Sequence, residues 1–273
     1  LTTNNQLPDY STIKQRQQQM WASGDFNVVG SRALLISELL CEAVDIRAGQ
    51  KILDVATGNG NAALAAARRF AETTGVDYVP SLLDYARIRA KADGLTATFQ
   101  EGDAENLPFP DASFDVVLSV LGAMFAPNQQ QTAHELLRVC RPGGKIGMAN
   151  WTPDGFLGQL FQVTSRYIPP PPDVKPAMLW GNEEHVRNLF ADGITSLQAT
   201  KRSFIFRYQS AEHYVNFTRS NYGPSLKAFQ ALDPAQQENL ARDQAELVRR
   251  FNRSDDGTMV WPADYLEIVA TKC

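Results

Sequence analysis

The stretch KILDVATGNGNAALAAARR, from Lys51 to Arg69, constrains the fold more than any other part of the chain. Lys51 to Val55 is a short β-branched and aliphatic run bounded by turn residues, the pattern of a strand covered on both faces. Ala56 to Gly60 supplies a turn. Ala62, Ala63, Ala65, Ala66 and Ala67 then have about the highest helix propensity available, so a helix is predicted there, capped by Asn59 or Asn61. Strand, tight turn and helix N-terminus together make a nucleotide-type site. Gly58 and Gly60 let a ligand approach the backbone, the helix start offers unpaired N–H groups, and Asp54 adds a carboxylate beside the turn.

The glycine spacing argues against a pyrophosphate ligand. A dinucleotide fingerprint needs glycine at 56, 58 and 61, where this chain has Ala56, Gly58 and Asn61. The next strand, Thr73 to Tyr78, carries Asp77 near its end, 23 residues beyond Asp54. In open α/β sheets an acid at that edge is placed to accept both ribose hydroxyls, the alternative being a turn aspartate on the surface.

Strands and helices alternate around this unit. Leu34, Leu35, Leu39, Leu40 and Ala43 recur at helical spacing within Ser31 to Val44 and predict a stripe packed on the sheet. Before it, Ser11 to Ser23 is a polar, glutamine-rich helix ending near Trp21, which fits either a lid or a core plug. Ser81 and Asp84 read as a capping box opening a helix from Leu82 to Ala92, closed by Gly94. Thr96 to Gln100 is a third strand, with Asp103 just past its end, and Phe114 to Ser119 a fourth. Ala133 to Cys140 is a helix, Arg141 to Gly144 a turn and Lys145 to Asn150 a fifth strand, so a doubly wound parallel sheet is predicted with its ligand at the C-terminal strand ends.

Composition narrows the partners. A chain of 273 residues can bury a full core, while a net charge of −4 without any run of Lys and Arg leaves no footprint for nucleic acid. Cys41, Cys140 and Cys273 are widely spaced and form neither a disulfide framework nor a metal site, which points to a reducing cytoplasm. No apolar run approaches the ~18 residues of a membrane span, and LTTNNQLPDY lacks a charged-then-apolar signal pattern.

Four ordered motifs, LDVATGNG, GVDYVPSLLDYAR, GDAENLPFPDASFDVVLS and LLRVCRPGGKIGMANW, together resemble the class I S-adenosylmethionine-dependent methyltransferases, in the subgroup similar to ubiquinone and menaquinone biosynthesis enzymes. The resemblance runs from about Val44 to Trp151. It implies that the backbone at Ala56, Gly58 and Gly60 holds the methionine part and ribose, Asp77 the ribose hydroxyls, and Tyr78 the adenine face. Asp103 would accept from the adenine amine, the Ala104 N–H would meet a ring nitrogen, and the main chain at Ser119 and Val120 the amino-acid end. The departure is Ala56, which stands where the family has glycine; its methyl is accommodated if φ is negative.

Beyond Trp151 the likeness weakens. The family pattern predicts a Rossmann-like seven-stranded sheet, its sixth strand at Ser203 to Tyr208 and an antiparallel last strand at Tyr265 to Ala270. Helices are expected at Phe156 to Tyr167, Glu212 to Asn221, Ser225 to Leu232 and Ala235 to Asn252. The whole chain thus reads as one domain: N-terminal helices or lid over 1–45, a cofactor-binding core over 46–152, and cap insertions over 153–182 and 210–256. The insertions are expected to form an acceptor cap, the alternative being that they thicken the fold or make a homodimer interface. Trp21, Met124, Phe125, Trp151 and Trp180 are the expected walls for a small apolar or aromatic acceptor. In-line displacement at a sulfonium methyl needs positioning more than a catalytic side chain, and among three histidines only His213 lies in the cap. A nicotinamide-dependent oxidoreductase and a protein that binds S-adenosylmethionine without turnover are the competing readings.

Overall fold

In a computed structural model that describes residues 9–172 and 174–273, the chain forms one seven-stranded sheet. Its strands are β1 (Lys51–Val55), β2 (Glu72–Asp77), β3 (Thr98–Glu101), β4 (Phe114–Val120), β5 (Cys140–Trp151), β6 (Ile194–Tyr208) and β7 (Met259–Lys272), in the order β3-β2-β1-β4-β5-β7-β6. From β3 to β5 every pairing is parallel, and β7 runs antiparallel between β5 and β6. Strand order reverses between β1 and β4, so the loops leaving these two strands diverge and open a crevice at the C-terminal edge.

The helices before the sheet are α1 (Tyr10–Trp21), α2 (Phe26–Gly30) and α3 (Leu34–Val44). α3 packs on the sheet with Ile36, Ser37, Leu40, Cys41 and Val44 buried, while Leu35 is 57% exposed. The expected stripe through Leu34 and Leu35 is therefore rotated. The cause lies at Gly147 of β5, where a side chain would come within 2.5 Å of Val44 Cγ2 and 3.5 Å of Leu40 Cδ1: the helix sits so close that these residues must face the strand.

Two N-termini also differ from expectation. α4 (Asn61–Ala67) is preceded by Gly60 at φ 86°, and neither Asn59 nor Asn61 caps it; Asp54 at the end of β1 accepts from the Ala63 N–H at 2.9 Å instead. α5 (Pro80–Ala92) starts from Val79 with no side-chain cap, and Asp84, assigned to a capping box with Ser81, pairs with Arg87 at 2.8 Å. α6 (Gln129–Val139) leads into β5.

α7 (Phe156–Ser165) and α8 (Glu183–Phe190) follow β5, and α9 (Ala211–Asn221), α10 (Gly223–Gln230) and α11 (Pro234–Phe251) join β6 to β7. A capping box of Asp233 and Gln236 opens α11. β6 and β7 extend well beyond the expected segments and pair from Ile194↔Lys272 to Tyr208↔Met259. Their shared face carries Phe206, Tyr208 and Trp261, with both of the first two rings 5.5 Å from the last, and α7 and α9 add Phe156 and Tyr214 to that cluster. The insertions at 153–182 and 210–256 thus build a second layer of core.

Candidate functional site

Asp54 and Asp77 knit the turn after β1 together. Asp54 Oδ2 accepts from Thr57 Oγ1 at 2.6 Å and from the Ala63 N–H; Asp77 Oδ2 accepts from the Gly58 N–H at 2.8 Å and Oδ1 from the Val79 N–H at 2.9 Å. Both carboxyls are buried, at 1% and 5% exposure. Burial pushes Asp54 up to about 7 and Asp77 up to about 6, against hydrogen bonds that favour the charged form.

Ala56 is left-handed, at φ 55°, so the negative φ that would accommodate its methyl without strain is not adopted. Leu121, the residue after β4, has φ 55° as well. The two turns interlock through Gly122: a side chain there would collide with the Ala56 carbonyl and stand 2.8 Å from the Ala56 methyl. Left-handed non-glycine residues cost about 1–2 kcal/mol each, and such strain concentrates at ligand sites.

A cleft of about 1010 Å³, counting its open mouth, lies over these turns. Of the residues expected to hold a donor, Asp54, Ala56, Gly58, Asp77, Tyr78, Asp103, Ala104 and Val120 line it. Gly60 and Ser119 do not. Gly60 faces α5 and β3, where a Cβ would be 3.0 Å from the Ala86 methyl, and so serves helix packing. Ser119 is buried; its hydroxyl donates to the Val55 carbonyl and accepts from the Ala123 N–H, both at 2.9 Å, which fixes the turn from behind.

The same cleft is walled by the aromatic rings of Trp21, Phe26 and Phe125. The Trp21 ring lies 5.8 Å from Phe26, 5.1 Å from Phe125 and 5.6 Å from Tyr222, each edge-on. Phe26 is aimed at the glycine turn, 3.3 Å from where a Gly58 side chain would start. Sequence reasoning missed Phe26, Lys14 and Gln17. The signal available was Asp25, which caps α2 and so turns the following aromatic inward, and the spacing of Lys14, Gln17, Gln18 and Trp21, which puts them on one helix face.

Three expected acceptor walls belong to the core. Met124 and Trp180 are 0% exposed and Trp151 7%. Trp151 lies on a face of the sheet, 6.2 Å from Phe206 and 6.3 Å from Tyr265, and Trp180 stacks edge-on to Phe190. Trp151, as the last residue of β5, alternates between faces like any other strand residue, and Met124 and Trp180, on single 3-10 turns, likewise point into packed layers. Among the described residues none of 153–182 or 210–256 lines the cleft; the insertions stand behind its wall, Tyr222 against Trp21 and Phe161 stacked on Phe125 at 6.0 Å. His213 is exposed, with Nδ1 accepting from the Gln209 N–H, far from the role of a base. Among the described residues no group of three or more His, Cys, Asp or Glu is placed to hold a metal ion, and no helix is long and apolar enough to cross a membrane.

Comparison with known proteins gives consistent matches. Residues 53–148 match the family described as a methyltransferase domain. Over 277 residues spanning the whole of both chains, the sequence is 35% identical to the Mycobacterium tuberculosis protein Rv1405c. It is 33% identical over 188 residues to the demethylmenaquinone methyltransferase of Deinococcus radiodurans, covering 62% of this chain and 76% of that one. Among solved structures, YcgJ from Bacillus subtilis shares the fold, with a TM-score of 0.63 at 21% identity over 86% of this chain and 97% of that one.

Proposed function

Because the chain belongs to the class I S-adenosylmethionine-dependent methyltransferases, we propose that the cleft binds S-adenosylmethionine with its adenosine toward Asp77 and Asp103 and its methyl toward Trp21, Phe26 and Phe125. The observation that carries this reading is that one cleft is lined both by the acids Asp54, Asp77 and Asp103, which lie at or just beyond the ends of successive strands, and by the aromatic rings of Trp21, Phe26 and Phe125. The residues fit such a donor. Asp77 uses one lone pair of each oxygen on backbone N–H groups and keeps the others for ribose hydroxyls. Tyr78 offers a ring, its hydroxyl held protonated by burial and by Asp77. Asp103 and Ala104 line the same cleft, and this reading assigns them to the adenine edge.

When bound, S-adenosylmethionine supplies an electrophilic methyl group on a sulfonium. The chain's own contribution is to hold donor and acceptor in line and to keep water out, and an apolar enclosure assists a reaction in which charge on sulfur is lost. We infer a small acceptor with an apolar or aromatic body, because the three rings offer flat faces and, among the described residues, the cation lining the cleft, Lys14, is paired with Asp103 and Glu105. The name of the Deinococcus relative makes demethylmenaquinone the first acceptor to try. Isothermal titration with S-adenosylhomocysteine against NADH tests the donor. A cell extract incubated with the protein and labelled methyl donor, read by mass spectrometry, tests the acceptor. Binding of NADH in place of S-adenosylhomocysteine, or label confined to polymers, would overturn the corresponding half.

A further inference from the structure

α2, the five-residue helix that begins with Phe26, is pinned along its length to the glycine turn after β1. Asn59, 1% exposed, donates from Nδ2 to Asn27 Oδ1 at 3.1 Å, and Asn61 donates from Nδ2 to the Gly30 carbonyl at 2.8 Å. Gly30 permits the approach, since a Cβ there would stand 3.0 Å from both Asn59 Oδ1 and the Phe26 ring. The Asn61 amide owes its direction to Arg89 of α5, whose Nη1 donates to Asn61 Oδ1 at 2.7 Å and to the Asn59 carbonyl at 2.6 Å. A guanidinium can only donate, so the atom facing it is oxygen and the nitrogen is left for Gly30. Arg89 is half-buried and makes these bonds to neutral oxygens, and burial lowers its pKa. A cation desolvated on neutral acceptors is a poor device for stability, which marks this one as serving orientation.

We propose that Arg89 and Asn61 are positioning residues for methyl transfer: Arg89 turns the Asn61 amide, Asn61 holds the end of α2, and α2 sets the Phe26 ring against the glycine turn. The inference rests on the placement of donor and acceptor given above. Asn61 lines the cleft, yet both of its amide atoms are already engaged, so it acts through α2. The start of α2 has anchors of its own. Asp25 caps it by accepting from the Val28 N–H at 3.3 Å, and the Asp25 N–H donates to the Asn221 carbonyl at 2.9 Å. Asn61 is the side chain that fixes the other end, at Gly30. Phe26 reaches to 3.3 Å from where a Gly58 side chain would start, so a small rotation of so short a helix moves the ring across the turn that the donor would occupy. In-line displacement is steep in distance, and an error of about 1 Å can cost about 10²-fold in rate.

Asn61→Asp in the full chain separates positioning from plain support of the fold. The added carboxylate would pair with Arg89 and favour the start of α4, so a residue serving the fold alone predicts equal or higher stability with unchanged turnover. Positioning predicts a different pattern, because an oxygen now faces the Gly30 carbonyl. Ligand-free melting should not fall, while amide exchange across residues 26–30 should quicken by about tenfold as that helix loosens. Affinity for S-adenosylhomocysteine, read by isothermal titration, should change by less than about threefold, since Asp77 stays paired with the Gly58 N–H. Label passed from the methyl donor to the cell extract should fall by about tenfold to a hundredfold. Arg89→Met keeps the apolar stem and removes the donors, and should reproduce both the faster exchange and the lost transfer. If residues 26–30 exchange at the wild-type rate in Asn61→Asp, or if transfer is unchanged in both variants, the positioning role is overturned while the donor site stands. If the wild type itself transfers no label, the reading of function fails instead, and the exchange rates alone decide whether Arg89 and Asn61 hold α2.

Discussion

The Gly58 N–H donates to Asp77 Oδ2 at 2.8 Å, so the glycine turn after β1 and the acid at the end of β2 are one hydrogen-bonded unit. A ligand on that acid reports on the turn, and the turn holds the acid in the direction that the ligand needs. Asp77→Ala should therefore lower the affinity for S-adenosylhomocysteine by about 1–3 kcal/mol, the usual loss for charge-assisted hydrogen bonds. Isothermal titration measures it, and unchanged affinity in a folded variant would remove the ribose assignment.

The two buried acids give stability a distinct pH dependence. Both have folded pKa values raised above the ordinary range near 4, to about 7 for Asp54 and about 6 for Asp77, by burial. The native state then holds their protons more tightly than the unfolded chain, so their contribution is fully present below about pH 4 and is lost as pH rises through 6 to 7. Other carboxylates, among them Glu38 and Glu135, are shifted the opposite way by arginine partners, so the comparison needs a variant. Urea unfolding of Asp54→Asn should show less loss of stability between pH 4 and 8 than the wild type. An identical profile would mean that Asp54 does not titrate in this window.

In the proposed site Asp103→Asn would turn an acceptor oxygen into a donor facing the adenine amine. Donor affinity should fall while ligand-free melting changes by only a few degrees, because the Lys14–Asp103 pair is partly exposed and such pairs contribute about 0–1 kcal/mol. Collapse of ligand-free stability would instead make Asp103 a structural turn acid.

Ala56→Gly should stabilise the ligand-free protein by up to about 1 kcal/mol, since glycine removes the left-handed penalty and gives back part of the gain in unfolded-chain entropy. Gly122→Ala should do the reverse, because its side chain would meet the Ala56 carbonyl. Chemical denaturation of the pair reads both signs, and equal stabilities would contradict the left-handed turn.

Trp180→Ala should cost about 3–5 kcal/mol of stability, as expected for a fully buried aromatic, with S-adenosylhomocysteine affinity intact in whatever remains folded. Thermal melting checks this. A loss confined to methyl transfer, with melting unchanged, would return Trp180 to the acceptor site.

Much of the sheet was legible because its signals are local. β1 is a short apolar run, its turn is punctuated by glycine, and Asp77 and Asp103 fall just where strands end. What stayed hidden was decided by contacts distant in sequence. Asp54 serves α4 nine residues on, in place of the nearby asparagines, because the strand end points into the helix start. Met124, Trp151 and Trp180 looked like pocket walls since a large apolar residue near a strand end has one spelling whether it faces a cleft or a packed layer. Phe26 was missed for the converse reason: it sits in a polar stretch, and only folding brings its ring against Gly58.

The place of β7 in the sheet bears on how the chain is made. β6 has β7 as its one strand partner in the sheet order, and among the described strands β7 is made after all the others. During synthesis β1 to β5 can assemble as soon as they emerge, whereas β6, with α9, α10 and α11 behind it, waits beside a finished five-stranded sheet for residues 259–272. Until they arrive, β5 is an open edge able to pair with other chains, so the nascent protein carries an aggregation-prone edge until β7 is made.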